Sequence, residues 1–340
     1  MVEQARTPAR ACIVGAGLMG RWHAASVSAA GGIVAAIVDH DAEAARKLAA
    51  RHSDALVVST LDEALSVAPI DVVHVCTPLP THAAFARLAL ERGAHVLIEK
   101  PLAAVAAETE SLVDLAGRLG RLIVPVHQLA FQRGVLRAHE RLPDIGRLQR
   151  LSFSICSAGG ERLNASRPDE IVDEILPHPI SVALAFGLAP KEGSISVLAP
   201  RDGELTAIWC TDGGATVSIA ISMNGRPPHN SARLVASQGT LHFDFFHGYS
   251  FAEPSWTARW RKAAAPFERA GRGAAAAAGN LFLRAARREP AYPGLRELVS
   301  RFYAAVATGG SSPIPAALVV LTAKTHERLV RLAAEAREHR

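Results

Sequence analysis

Short apolar runs alternate with amphipathic stretches through the first 126 residues of the chain. Residues 11–14, 33–38, 55–58, 71–76, 95–98 and 122–126, dominated by Val, Ile, Ala and Leu, predict six buried strands. Between them, residues 18–30, 41–51, 61–66, 81–92 and 105–119 place apolar side chains at helical spacing, with Gly93 and Gly120 as stops. Strands that are apolar on both faces and alternate with helices predict a doubly wound α/β domain around a parallel sheet.

The pattern changes after residue 126. Residues 134–142 predict a helix, and residues 148–156, 195–198, 205–211, 215–223, 232–236 and 240–246 have strand character between Gly, Pro and Asn turns. That alternation predicts a mostly antiparallel open sheet in an α+β domain. Residues 314–337 return to helical spacing, as a last helix free to pack back on the first domain. The expected division is therefore 1–126 and 127–340.

Composition narrows the class. A chain of 340 residues, 49% apolar, has material for two cores. Cys12, Cys76, Cys156 and Cys210 lie far apart in strand-like runs, which predicts buried free thiols and no metal cluster. The first residues hold no apolar signal core, and no run of apolar residues has membrane-spanning length, so a soluble cytoplasmic protein is expected. The net charge of +5 is local: residues 256–301 hold 10 Arg and Lys against 3 Asp and Glu. A basic segment on a near-neutral body does not fit a nucleic-acid binder.

Candidate chemistry gathers at the predicted strand ends. Gly15-Ala16-Gly17-Leu18-Met19-Gly20 follows a strand and opens a helix, the context in which a glycine turn holds a dinucleotide pyrophosphate. Asp39 ends the second strand, where a carboxylate accepts from the adenosine ribose and disfavours a 2′-phosphate. NAD is the expected cofactor; His40 beside Asp39 leaves NADP open. Thr77 and Pro78 should border the cofactor, and His82 either touches it or caps the next helix. Glu99-Lys100-Pro101 ends the fifth strand in a chain with 5 Lys against 32 Arg. Lys, unlike Arg, presents a compact charge and can give up its proton, so Lys100 is a candidate catalytic group.

These pieces resemble the glucose-fructose oxidoreductase / inositol dehydrogenase / rhizopine-catabolism family, Gfo/Idh/MocA. The resemblance rests on Gly15–Gly20, on Val73-His74-Val75-Cys76-Thr77-Pro78 with His82, and on residues 89–103 through Glu99-Lys100-Pro101. Ile145-Gly146-Arg147-Leu148 and Arg301-Phe302-Tyr303-Ala304-Ala305-Val306 extend it loosely into the second half. It implies an N-terminal Rossmann domain, a substrate-binding sheet domain that often forms a homo-oligomer interface, NAD or NADP bound without metal, and frequently a cis Lys-Pro bond. It also implies an acid/base His, which aligns with His178 in Glu174-Ile175-Leu176-Pro177-His178-Pro179-Ile180-Ser181. Here Glu174, Leu176 and Ser181 replace the family's Asp, Gly and Asp, and Ala130 stands where an Arg is frequent.

The reading is an NAD(P)-dependent oxidoreductase that moves a hydride between nicotinamide and a hydroxyl- or carbonyl-bearing carbon of a sugar-like or other small substrate. Lys100 would bond the substrate oxygen and His178 would exchange its proton. Glu174 would orient His178, and His127 and Gln128 would line the pocket. The alternatives are a reductase of C=C or C=N bonds in a less polar metabolite and a non-catalytic dinucleotide sensor. The segment 256–288 reads either as a solvated, mobile insertion or as an amphipathic helix. In the second case Leu281, Phe282 and Leu283 beside Arg284, Arg287 and Arg288 would cover the substrate cleft or lie on an anionic membrane.

Overall fold

The structure, a computed structural model, describes residues 8–157, 168–255, 261–287, 289 and 291–338. The first part runs β1 (Arg10–Val14), α1 (Leu18–Ala29), β2 (Ile33–Val38), α2 (Ala42–Ala49), β3 (Leu56–Val58), α3 (Leu61–Val67), β4 (Val72–Val75), α4 (His82–Glu91), β5 (His95–Ile98), α5 (Ala106–Arg118) and β6 (Ile123–Pro125). It continues with α6 (Arg133–Glu140), α7 (Leu142–Ile145), β7 (Leu148–Cys156), α8 (Pro168–Ile175), α9 (Pro177–Ala185), β8 (Ser196–Leu198), β9 (Glu204–Cys210), β10 (Thr216–Ser222), β11 (His229–Ala236), β12 (Gly239–Asp244), β13 (Tyr249–Pro254) and α10 (Arg261–Ala286). Helices α11 (Leu295–Thr308) and α12 (Ala316–Glu338) close the chain. Contacts divide it into two units: residues up to Val126 with Leu295–Lys324, and His127–Gly294 with the residues from Thr325 on.

In the first unit, six parallel strands stand in the order β3-β2-β1-β4-β5-β6. The strand order reverses between β1 and β4, which opens a crevice at their carboxyl ends. Ile13, Ile37, Val73, Leu97 and Ile98 are fully buried, as strands covered on both faces require. Asp41 caps α2 by accepting from the Glu43 and Ala44 backbone N–H groups. Helix α11, from far along the chain, packs on α1. Gly32 makes the room: a Cβ there would lie 2.6 Å from the Tyr303 ring.

The second unit holds seven strands in the order β13-β12-β11-β7-β10-β9-β8, antiparallel except for the β7–β10 pair. Along β9, Leu205, Ala207 and Trp209 face inward, and the Trp209 indole donates to the Leu188 carbonyl at 3.0 Å. The period of two puts Cys210 outward, so the expectation of four buried thiols fails there, and Cys76 and Cys156 are half-buried. Burial pushes the Cys12 thiol up to about 12, which keeps it protonated.

Three elements go beyond the sequence reading. Strand β13 was not foreseen, its pattern masked by Glu253 and Pro254, and α8 and α9 form between β7 and β8. Of the two readings of the basic segment, the helical one holds: it forms α10, which packs along β13, while residues 256–260 and 288 lie outside the described residues. Arg269 pairs with the buried Glu253 through bonds of 2.9 and 2.6 Å, and Asn280 donates to the His247 carbonyl at 2.7 Å. Phe267, Leu281 and Phe282 stay exposed.

The Arg269 guanidinium and His242 hold the Glu253 carboxyl below its usual range. A lowered carboxyl pKa adds stability above its unfolded value, and the gain is lost as pH falls through the folded value. Arg269→Ala should therefore cost about 1–3 kcal/mol at pH 7, toward the lower end because Arg269 is half exposed. Urea unfolding at pH 7 and near pH 3 checks this, with a smaller difference expected in acid.

Candidate active site

Main-chain register lines the candidate residues along one edge of the first sheet. Val14 pairs with Val38 and with Val75, and Val75 pairs with Ile98. Beyond those pairs, Gly15 N donates to Val38 O at 2.8 Å, Cys76 N to Val14 O at 2.8 Å, and Glu99 N to Val75 O at 2.9 Å. Asp39, Gly15, Cys76 and Glu99 thus follow the carboxyl ends of four adjacent strands, with Thr77 and Lys100 next in chain.

The glycine turn is shaped by close approach. Gly15 has φ +99°, and a Cβ on it would meet the Cys76 carbonyl oxygen at 2.7 Å. A Cβ on Gly20 would meet the Gly15 carbonyl oxygen at 1.8 Å, so only glycine lets α1 start this close to the turn. Gly17, the N-cap of α1, is exposed, and a Cβ there would touch nothing within 4 Å. Ala16 is buried, Leu18 exposed and Met19 half-buried. The Asp39 carboxylate accepts from Ala16 N at 2.6 Å and from Asp41 N at 2.9 Å, which ties the β2 end to the turn. The exposed His40 ring lies 3.1 Å from the Asp39 carboxylate. Beside the turn, a cavity of about 410 Å³ is lined by Gly17, Arg21, Asp41, Lys47 and Arg51, among others. Sequence reasoning missed these three cations because they are spread over α1, α2 and the turn that follows α2.

These residues fit a dinucleotide. The first and third glycines are needed by the protein's own packing, whereas Gly17 keeps backbone N–H groups open at a helix N-terminus, where a pyrophosphate is stabilised. Both oxygens of Asp39 retain acceptor capacity for ribose hydroxyls.

The two loops beside the turn are braced together by His82. Its ring nitrogens lie 2.7 Å from the Thr77 carbonyl and 2.8 Å from the Pro101 carbonyl, and the residue is buried. It fixes backbone at Thr77, just before Pro78, and at Pro101, and the capping alternative gains no side-chain cap bond at α4. The Lys100–Pro101 peptide is cis. Lys100 is half-buried, and its charge and backbone N–H act on the Glu99 carboxylate. Those effects, together with the His23 bond, outweigh desolvation and lower the Glu99 pKa. The same carboxylate begins a buried chain: Glu99 Oε1 to His23 Nε2 at 3.1 Å, His23 Nδ1 to His74 Nδ1 at 2.9 Å, and His74 Nε2 to the Tyr303 hydroxyl at 2.9 Å. His23 and His74 are fully buried. The available signal was a lone His in each of two otherwise apolar faces.

The remaining candidates belong to the second unit. His127 is buried, and Gln128 opens a short 3₁₀ turn, Gln128–Phe131. The buried Gln128 Oε1 has no hydrogen-bond partner among the described residues. His178 is half-buried in the first turn of α9, where Pro177 starts the helix; Glu174 is exposed near the end of α8. Ser181 Oγ donates to the His178 carbonyl at 2.8 Å. Among the described residues, no cluster of three or more His, Cys, Asp or Glu is arranged to hold a metal ion.

A glycine turn, an acidic strand end and a lysine on one edge of a β3-β2-β1-β4-β5-β6 sheet define a dinucleotide-binding oxidoreductase. Residues 9–127 match the family described as "Oxidoreductase family, NAD-binding Rossmann fold", Gfo/Idh/MocA. Among relatives, scyllo-inositol 2-dehydrogenase (NADP(+)) IolU of Bacillus subtilis is 28% identical over 62% of this chain and 68% of its own length. UDP-N-acetylglucosamine 3-dehydrogenase of Acidithiobacillus ferrooxidans is 27% identical over 70% of this chain and 74% of its own. A levoglucosan dehydrogenase structure, 18% identical, shares the fold with a TM-score of 0.80 over 97% of this chain and 98% of that one. The chain is an NAD(P)-dependent oxidoreductase acting on a small molecule. No helix among the described residues is long and apolar enough to cross a membrane.

The turn geometry separates packing from binding. Gly17→Ala should leave the melting temperature unchanged yet weaken NADH binding, because the added methyl enters only open space. Gly20→Ala should destabilise the fold itself by about 1–3 kcal/mol, as overpacking does. Calorimetric unfolding and NADH titration of the pair read the two effects apart; equal destabilisation by both would contradict the assignment.

Proposed function

We propose that the enzyme oxidises a secondary alcohol of a sugar- or polyol-like substrate to the ketone, or runs the reverse. The observation that carries this reading is Lys100 on the edge shared with the glycine turn and Asp39. The bound nicotinamide supplies the hydride exchange with the alcohol carbon. Lys100 Nζ bonds the substrate oxygen and stabilises its developing negative charge. His178 takes the hydroxyl proton in oxidation and returns it in reduction. Glu174 orients His178, and His127 and Gln128 line the substrate site, where the Gln128 Oε1 acceptor suits a substrate hydroxyl. The names of the inositol and nucleotide-sugar relatives support a polyhydroxylated substrate.

One observation favours a less polar substrate and C=C or C=N reduction as the second reading. Leu176 is fully buried, and the Ser181 hydroxyl is spent on the His178 carbonyl, so neither offers a polar handle where the family pattern has Gly and Asp. A non-catalytic dinucleotide sensor would have no use for Lys100 or His178.

We further propose that, within the expected 127–340, the second unit of residues 127–294 with those from 325 on is the substrate domain, that the protein is cytoplasmic, and that it has no nucleic-acid partner. A homo-oligomer is supported by the exposed Leu198 and Ile208 on the second sheet.

Lys100→Ala and His178→Ala should each keep NADH affinity while lowering turnover by about 10²–10⁴-fold on a confirmed substrate, scyllo-inositol being the first to assay. Wild-type turnover in either variant removes that residue from the mechanism. The Asp39 carboxylate should make NADH bind more tightly than NADPH, and Asp39→Ser should narrow the difference. Tighter NADPH binding by the wild type would mean that His40, Arg21, Lys47 or Arg51 decides cofactor choice.

A further inference from the structure

We propose that His23, His74 and Tyr303 are positioning residues that fix the Glu99 carboxylate, and through it Lys100, by a hydrogen-bond chain of one polarity. The proposal rests on the reading of Lys100 as the group on the substrate oxygen.

The chain has one arrangement that needs no charge on either ring. The Glu99 carboxylate only accepts, so His23 Nε2 donates to it across 3.1 Å. In a neutral His23 ring, Nδ1 then accepts, and the donor 2.9 Å away is His74 Nδ1–H. His74 Nε2 is left as an acceptor, and the Tyr303 hydroxyl fills it at 2.9 Å. Reversing the polarity would put two protons on His23, whose side chain is fully buried.

The surroundings favour the neutral arrangement. Burial pushes His74 well below 6.5, so it carries a single ring proton. Burial, and then the Asp71 charge, pushes the Tyr303 phenol far above 10, so it keeps its proton and donates. The other titratable groups facing the chain are Cys76, held as a thiol by burial and the Glu99 charge, and Lys100 itself. Tyr303 at one end thus selects the tautomer that presents an N–H to Glu99 at the other. Gly32, which alone leaves space for the Tyr303 ring, is part of the same construction.

The direct test is ¹⁵N NMR of the histidine rings in the NADH complex. The proton of His74 should be on Nδ1 and that of His23 on Nε2; a His74 proton on Nε2 overturns the proposal. Tyr303→Phe should lower kcat by about 10–100-fold, with substrate KM and NADH Kd unchanged, and should shift the pH–rate profile. A purely structural role would lower the melting temperature and leave the profile in place, which also overturns it. His74→Gln, whose amide can accept from Tyr303 and donate to His23, should keep more activity than His74→Leu. The two failures are distinguishable: full activity in Lys100→Ala removes the functional reading, whereas an inactive Lys100→Ala beside an unaltered Tyr303→Phe removes only this chain.

Discussion

Backbone hydrogen bonding between parallel strands determines where this protein can do chemistry. The ladder runs one bond beyond the last pair on each of β2, β1, β4 and β5, through Gly15 N to Val38 O, Cys76 N to Val14 O and Glu99 N to Val75 O. No side chain is needed to bring Asp39, the glycine turn and Glu99-Lys100 to one edge. A slip of one residue in β5 would put Pro101, which has neither a charge nor a backbone N–H, where Lys100 stands. The apolar content of these strands therefore serves function as well as stability, because burial on both faces specifies the register.

Placing functional groups at the edge leaves the question of how they are held. Much of the answer lies beneath them. Two imidazoles without solvent contact are costly unless every ring nitrogen is paired, since each buried unmade bond costs about 1–3 kcal/mol. Here both rings are paired, with each other, with Glu99 and with Tyr303. His82 does similar work on the backbone by spanning the Thr77 and Pro101 carbonyls. The pH dependence has a clear sign. A His74 that resists protonation in the folded state destabilises it as pH falls below 6.5, where the unfolded chain takes up the proton. The lowered Glu99 carboxyl acts in the same direction further into acid.

The first unit was largely legible in the sequence because its signals are local. Strand runs, glycine stops and the turn from Gly15 to Gly20 each declare themselves within a dozen residues, and the strand bounds follow them closely. The second unit was less so. β13 carries Glu253 and Pro254, and its partner α10, rich in Ala, Gly and Arg, left both an insertion and a helix open because its contact with β13 is made in tertiary structure. At the site, Lys100, Asp39 and the glycines stand out by type and spacing. His23, His74 and Tyr303 do not, because each is a single polar residue in an apolar setting, and their meeting is a fact of tertiary structure. The cations Arg21, Lys47 and Arg51 escaped for the same reason.

The central claim is that this edge of the first sheet supports hydride transfer to carbon. The most direct measurement is to give the enzyme NADH deuterated at the transferring position of C4, together with a keto-inositol, and to read the alcohol product by mass spectrometry and NMR. The account predicts one deuterium on the newly formed carbinol carbon and none lost to water. NADH binding without any label in product, or label appearing only in solvent, would contradict it.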